Sequence, residues 1–234
     1  MNAHNLNGLD GVNSVNDVNG LNSLGGLNGL NSLGAHSFQI FFVGDELVAG
    51  MGDARGMGWV GRVLARTPAN PPIMPYVLAF AGESSAHLME RWKSDVSARL
   101  LKDRTNRLVI ALGSHDLDAG LSSARSRLHL ANMLDMAERM QLSPFVVGPP
   151  PRPDKSEQAV AELSHSFADV CTRRSIPYVD TFTPLVQHEQ WNTDMSLVGT
   201  YTPRQAGYGL MAWLVLHRGW HQWLGVKAAS DDTE

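Results

Sequence analysis

The sequence has a single cysteine, Cys171, among 234 residues. No disulfide framework can form within the chain, and a reducing compartment is the simplest setting. Long hydrophobic runs are also missing. No stretch of about 18 apolar residues occurs, so no segment is expected to span a membrane. Lys and Arg are absent before Arg55, which leaves the start of the chain without the basic segment of a secretory signal. The expected location is therefore the cytoplasm. Positive charge is not in excess either: 19 Lys and Arg face 23 Asp and Glu, for a net charge of -4. That balance argues against a nucleic-acid or membrane-surface binder, which would carry a basic patch. Gly50, Gly52, Gly56 and Gly58 form a glycine-rich stretch, but no Gly-Lys-Ser/Thr follows, so no P-loop is expected.

What is present divides unevenly along the chain. Residues 1–37 read as a low-complexity, disordered tail: from Leu6 to Ala35 an aliphatic residue, usually Asn, and a small or acidic residue recur in triplets. Phe, Tyr and Trp are absent before Phe38, and Asp10 and Asp17 carry the only formal side-chain charges in this stretch. Such Asn-rich repeats can also self-associate. Residues 38–225 have the texture of a folded domain, and 226–234 form a short polar tail. Short apolar runs at Phe38–Val43, Tyr76–Phe80, Leu108–Leu112, Pro144–Val147 and Pro177–Val179 suit buried strands. Between and after them, Ala86–Leu101, Ser122–Met140, Ser156–Arg174 and Arg204–Trp223 repeat apolar residues at helical spacing. Strands alternating with helices imply parallel βαβ units. The expected fold is α/β, a three-layer αβα sandwich around a flavodoxin-like five-stranded parallel sheet. In that architecture the site lies beyond the carboxyl ends of the strands, near the switch point.

Four segments follow those ends: Gly44-Asp45-Glu46-Leu47, Gly82-Glu83-Ser84-Ser85, Gly113-Ser114-His115-Asp116, and Gly199-Thr200-Tyr201-Thr202-Pro203 with Gly207-Tyr208. In order and spacing they resemble the conserved blocks of the SGNH, or GDSL-type, hydrolase superfamily of esterases and lipases. The family's first block reads Gly-Asp-Ser-Leu, its third Gly-x-Asn-Asp, and its last Asp-Gly-x-His-Pro before a helix with Gly-Tyr. The resemblance covers most of residues 38–225. It implies the SGNH-hydrolase fold and a pocket for a small acyl compound. In the family a serine attacks the ester, a histidine deprotonates it, an aspartate orients the histidine, and a backbone amide and an asparagine hold the oxyanion.

Each of those catalytic positions is altered. Glu46 stands for the serine, Ser85 for the oxyanion glycine, His115 for the asparagine, Thr202 for the histidine and Gly199 for the aspartate. A serine nucleophile needs a base within reach, and an anion at position 46 opposes the charge that acyl transfer develops. Two functions remain. In the first, the enzyme is repurposed. Glu46 and His115 face one another as an acid/base pair, with Asp45 and Asp116 as further catalytic-site carboxylates, and Ser85, Gly82, Tyr201 and Thr202 contact substrate. Isomerisation, elimination, cyclisation or water-mediated hydrolysis of a small acyl metabolite would suit such a pair. In the second, the chain is a pseudoenzyme that binds a small molecule or a protein. A metal site from Glu46, His115 and Asp116 lacks the fixed ligand spacing of known sites, so no metal and no cofactor is expected.

The remaining conspicuous residues have plainer explanations. His87 suits a solvated helix face, and Ser84 or Ser85 a helix cap. Pro149, Pro150, Pro151 and Pro153 stiffen a loop. Trp213, Trp220 and Trp223 on the last helix suit packing. His217 and His221 read as surface residues, and Cys171 as buried and inert.

Overall fold

The structure, a computed structural model, describes residues 37–196 and 201–227. The expected tail over residues 1–37 lies outside the described residues except for Ser37. So do 228–234 of the C-terminal tail, and Gly199 and Thr200 of the last block.

Five strands form one parallel sheet: β1 (Phe38–Gly44), β2 (Ile73–Ala79), β3 (Thr105–Ala111), β4 (Ser143–Val147) and β5 (Tyr178–Val179). Their spatial order is β2-β1-β3-β4-β5. β1 is buried along its whole length because both neighbours and both faces are covered. Its side chains alternate between two cores. Ile40 and Phe42 pack with Trp59, Tyr208 and Trp220 on one face; Phe41 and Val43 pack with Leu88, Trp92, Leu130 and Phe167 on the other. A fully buried parallel strand of this kind needs the near-continuous apolar run that FQIFFV supplies. The expected three-layer α/β architecture is the one observed.

The helices are α1 (Glu46–Ala49), α2 (Gly58–Ala65), α3 (Ser85–Ser97), α4 (His115–Asp118), α5 (Ser123–Arg139), α6 (Glu157–Thr172), α7 (Phe182–Leu185), α8 (Glu189–Met195), α9 (Gln205–Val215) and α10 (His221–Leu224). Serine hydroxyls cap α3, α5 and α6: Ser84, Ser122 and Ser156 each accept an otherwise orphaned amide of the first turn. No helix among the described residues is long and apolar enough to cross a membrane.

Three local expectations are corrected. The second strand starts at Ile73 and includes Pro75, ahead of the expected Tyr76. Phe38 N–H bonds Pro72 O and Phe80 N–H bonds Gly44 O, so the even-numbered residues of β2 bond inward. Pro75 therefore turns its missing donor toward the open edge, where proline is tolerated. The last helix is not continuous. It breaks through a π turn at Leu216–Trp220, where Gly219 adopts φ 95°. Glycine reaches that left-handed conformation without a Cβ penalty. The turn delivers Trp220 and Trp223 onto Phe145. Trp213, by contrast, is exposed and stacks on His217, so it is not a core residue.

The order 2-1-3-4-5 reverses direction at β1 and β3, and this switch point fixes the site. Gly44 ends β1 at φ 151°, and a Cβ there would fall 2.0 Å from Ala111 O of β3. Only glycine lets the two strand ends lie so close, and the loops that leave them carry residues 45–46 and 113–116.

Candidate functional site

Beyond Gly44 the chain turns directly into α1. Asp45 is its N-cap, with Oδ1 accepting Leu47 N–H at 3.0 Å. Glu46 is the first helical residue. Beyond β3, Ser114 leads into α4, of which His115 is the first residue. The structure brings the two side chains together: His115 Nε2 lies 2.8 Å from Glu46 Oε1. Glu46 Oε2 accepts Gly82 N–H at 2.7 Å, so its carboxylate is gripped by donors from two different loops. Asp45 Oδ2 lies 3.8 Å from His115 Nε2, and its side chain is 2% exposed. Gly113 makes room for it, since a Cβ there would fall 2.0 Å from Asp45 Oδ2.

The other imidazole nitrogen is also engaged. His115 Nδ1 lies 3.0 Å from Asp118 Oδ2. Asp118 in turn is held by Arg152 and by Lys155, whose Nζ lies 2.5 Å from Oδ1. Arg152 also pairs with Asp154, and its guanidinium lies 5.1 Å from the centre of the Tyr201 ring. Asp45, Glu46, His115, Arg152 and Tyr201, with Pro150 and Pro151, line a cleft whose cavity volume is about 10 Å³. That is about the room one water molecule needs, about 10–15 Å³.

These contacts set the protonation states. The Glu46 hydrogen bond raises the pKa of His115, against partial burial, and Asp45 adds to the rise. Burial alone would raise Glu46, but the bonds from His115 and from the Gly82 amide hold it below its ordinary value. Asp45 is pushed up to about 7, chiefly by burial and then by the neighbouring Glu46 charge. Asp118 is desolvated too, yet Arg152 and Lys155 hold it down at about 2. The arrangement is an ionised Glu46–His115 pair with a carboxyl beside it that titrates near neutrality. Asp45, Glu46 and His115 offer ligand atoms within 4.8 Å of one another, close enough for a metal ion. Two of these atoms, Glu46 Oε1 and His115 Nε2, are in hydrogen-bond contact at 2.8 Å.

Several expected site residues lie elsewhere. Ser85 N–H does not face Glu46; Gly82 N–H does. Ser85 is fully buried, and its N–H and hydroxyl both bond Asp116, at 2.6 and 2.7 Å. Asp116 therefore points away from His115 and out of the cleft, because adjacent residues at a helix start project in different directions. Thr202 is buried against Gly52, where a Cβ would fall 2.6 Å from Thr202 Oγ1, and it does not line the cleft. Tyr201 does line it. His87 is exposed, Glu83 pairs with Arg91, and Cys171 is buried with its thiol pushed up to about 12 by desolvation. The sequence reading missed Arg152 and Asp118. Arg152 follows the proline run at the carboxyl end of β4, and its position at a strand end was the available signal.

The fold and the position of this cleft define the class: a doubly wound α/β protein of SGNH-hydrolase architecture, with its site at the switch point. The GDSL-like lipase/acylhydrolase family model matches residues 42–210, and the chain belongs to that family. Solved structures agree in fold. An acetylxylan esterase from Geobacillus stearothermophilus superposes with a TM-score of 0.66 at 14% identity, covering 82% of this chain and 96% of that one. A lipase/acylhydrolase from Enterococcus faecalis gives 0.65 at 18% identity, with coverages of 82% and 98%. A psychrotrophic esterase from Pseudoalteromonas sp. gives 0.64 at 16% identity, with coverages of 80% and 98%. No curated protein matches the chain by sequence.

Proposed function

We propose that this chain is a GDSL-family enzyme that has exchanged serine esterase chemistry for acid/base chemistry on a small acyl-type metabolite. The observation that carries the reading is the 2.8 Å contact between His115 Nε2 and Glu46 Oε1, with Asp45 Oδ2 3.8 Å from the same nitrogen. An ester entering the cleft would meet a carboxylate where the family presents free oxyanion donors, because the Gly82 amide and the residue-115 side chain are both turned to Glu46. Acyl transfer through an oxyanion is therefore disfavoured. Proton transfer is not. A carboxyl near pKa 7, as at Asp45, exchanges a proton at neutral pH with the best balance of availability and driving force. The Glu46–His115 pair supplies fixed charge beside it. Isomerisation, elimination, cyclisation and water-mediated hydrolysis all fit this equipment.

A second reading, a binding module without turnover, is favoured by one observation. Both oxygens of Glu46 and both nitrogens of His115 are already engaged by protein groups. One experiment separates the two. Small acyl esters, thioesters and their free acids are incubated with the protein in D2O and followed by NMR. The enzyme reading expects turnover or deuterium uptake that disappears in Asp45→Asn and Glu46→Gln. Asn keeps the helix cap of Asp45, so its loss of activity would be chemical. A compound that shifts the His115 resonances but is never converted or exchanged would hand the case to the binding module.

A further inference from the structure

We propose that Ser85 and His129, acting through Asp116, position the two donors that grip Glu46. Those donors belong to separate loops: Gly82 precedes α3, and His115 opens α4. A carboxylate is held by two donors at once only if their spacing is kept. Next to the donors these loops are tied together by Asp116, one residue after His115, and Ser85, three residues after Gly82. Ser85 N–H meets Asp116 Oδ1 at 2.6 Å, and Ser85 Oγ meets Asp116 Oδ2 at 2.7 Å. The clamp is dry: Ser85 is 0% and Asp116 2% exposed.

His129, on α5, sets the direction of the clamp. Its Nδ1 lies 2.9 Å from Ser85 Oγ. The serine hydroxyl has one proton and two neighbours. If Nδ1 carries hydrogen, it donates to Ser85 Oγ, and the serine proton is left for Asp116. If Nδ1 is bare, the serine proton turns to the histidine, and Asp116 Oδ2 loses its donor. The intact clamp therefore requires the Nδ1–H tautomer of His129. None of these three groups lines the cleft, so they are positioning residues. Asp45, Glu46, Asp118 and Arg152 are the charged groups that face His115 directly.

This inference rests on the Glu46–His115 pair being the working part of the site. Its readout is the titration of His115 and not turnover, so either reading can fail alone. The test is an NMR histidine titration of the full chain as wild type, Ser85→Ala, His129→Leu and His129→Asn. Wild-type His129 is expected to show the Nδ1–H tautomer. Ser85→Ala and His129→Leu should lower the His115 pKa by about one unit as the two donors lose their spacing. In His129→Asn the amide nitrogen takes the place of Nδ1–H and should restore it. Ser85→Ala removes one oxygen and keeps the backbone bond, so it decides the matter if His129→Leu does not fold. A folded Ser85→Ala protein with the wild-type His115 titration would overturn the proposal, as would a His129→Asn variant with a His115 pKa as low as that of Ser85→Ala. A purely structural role would lower the melting temperature and leave His115 unmoved.

Discussion

Glu46→Gln is the perturbation that probes the site most directly. In the wild type an ionised carboxylate receives two hydrogens, from Gly82 N–H and His115 Nε2–H, one on each oxygen. Glutamine keeps the shape but offers one oxygen and one NH2 group. If its oxygen faces Gly82, its NH2 faces His115 Nε2, which must then be an acceptor. The substitution thus removes the charge that favours the imidazolium and adds a donor that favours the neutral ring. The pair lies mostly out of water, with side chains 14% and 12% exposed. An opposite charge at such a site is worth about one to three pKa units. Asp118 remains on Nδ1, so a fall of about one to two units is expected, or about 1.4–2.7 kcal/mol of coupling. The sign in stability follows. The raised His115 pKa contributes stability that is complete below about 6.5 and is lost as pH rises through its folded value. The lowered Glu46 pKa contributes stability above about 4.3 that is lost as pH falls through its folded value. The variant's deficit should therefore peak near pH 5–6, about midway between the two ordinary values, and shrink on the alkaline side. The assay is an NMR titration of His115, assigned by the resonance missing in His115→Gln, alongside denaturant unfolding across pH. Identical His115 pKa values in wild type and Glu46→Gln would refute the coupling.

Three further outcomes are expected. Asp45, with its carboxyl raised to about 7, contributes stability that is present below its ordinary value of 3.8 and lost as pH rises through about 7. Asp45→Asn should therefore gain on the wild type between pH 5 and pH 8, by roughly one to a few kcal/mol in denaturant unfolding; parallel curves would mean that the carboxyl is not strained. A fluorophosphonate probe should leave every serine unlabelled, as read by intact-mass spectrometry; stoichiometric labelling at Ser84, Ser85 or any other serine would sink the non-serine chemistry. Removing residues 1–36 should keep the melting temperature within a few degrees, since a low-complexity segment without Phe, Tyr or Trp buries little core. A larger drop, or loss of soluble protein, would assign the repeat segment a part in stability or assembly.

Much of the fold was legible because its signals are local. Phe38–Val43 is apolar but for Gln39, which reads as a strand covered on both faces, and it lies buried between β2 and β3. The alternation of such runs with helical periodicity dictated parallel crossovers, and the strand-end rule then pointed at Glu46 and His115, 69 positions apart in the chain. Local signals failed where a long-range contact outweighed them. The last apolar stretch has helical spacing to Trp223, yet Gly219 bends it because two tryptophans are wanted in the core. Asp116 and Ser85 looked like site residues by their blocks. Which side a residue presents at a helix start depends on backbone geometry, and theirs turns them toward each other. Arg152 and Asp118 joined the site through an ion pair 34 residues apart, which no spacing encodes. The sequence by itself determined which side chains the strand-end loops carry, Glu46 in the first block and His115 in the third, because folding cannot change a side chain. Only the tertiary structure decided that Glu46 occupies both donors, that His115 is held from both sides and that Asp45 titrates near neutrality. Hydrogen bonds and desolvation depend on distances of a few ångströms between residues the chain keeps far apart.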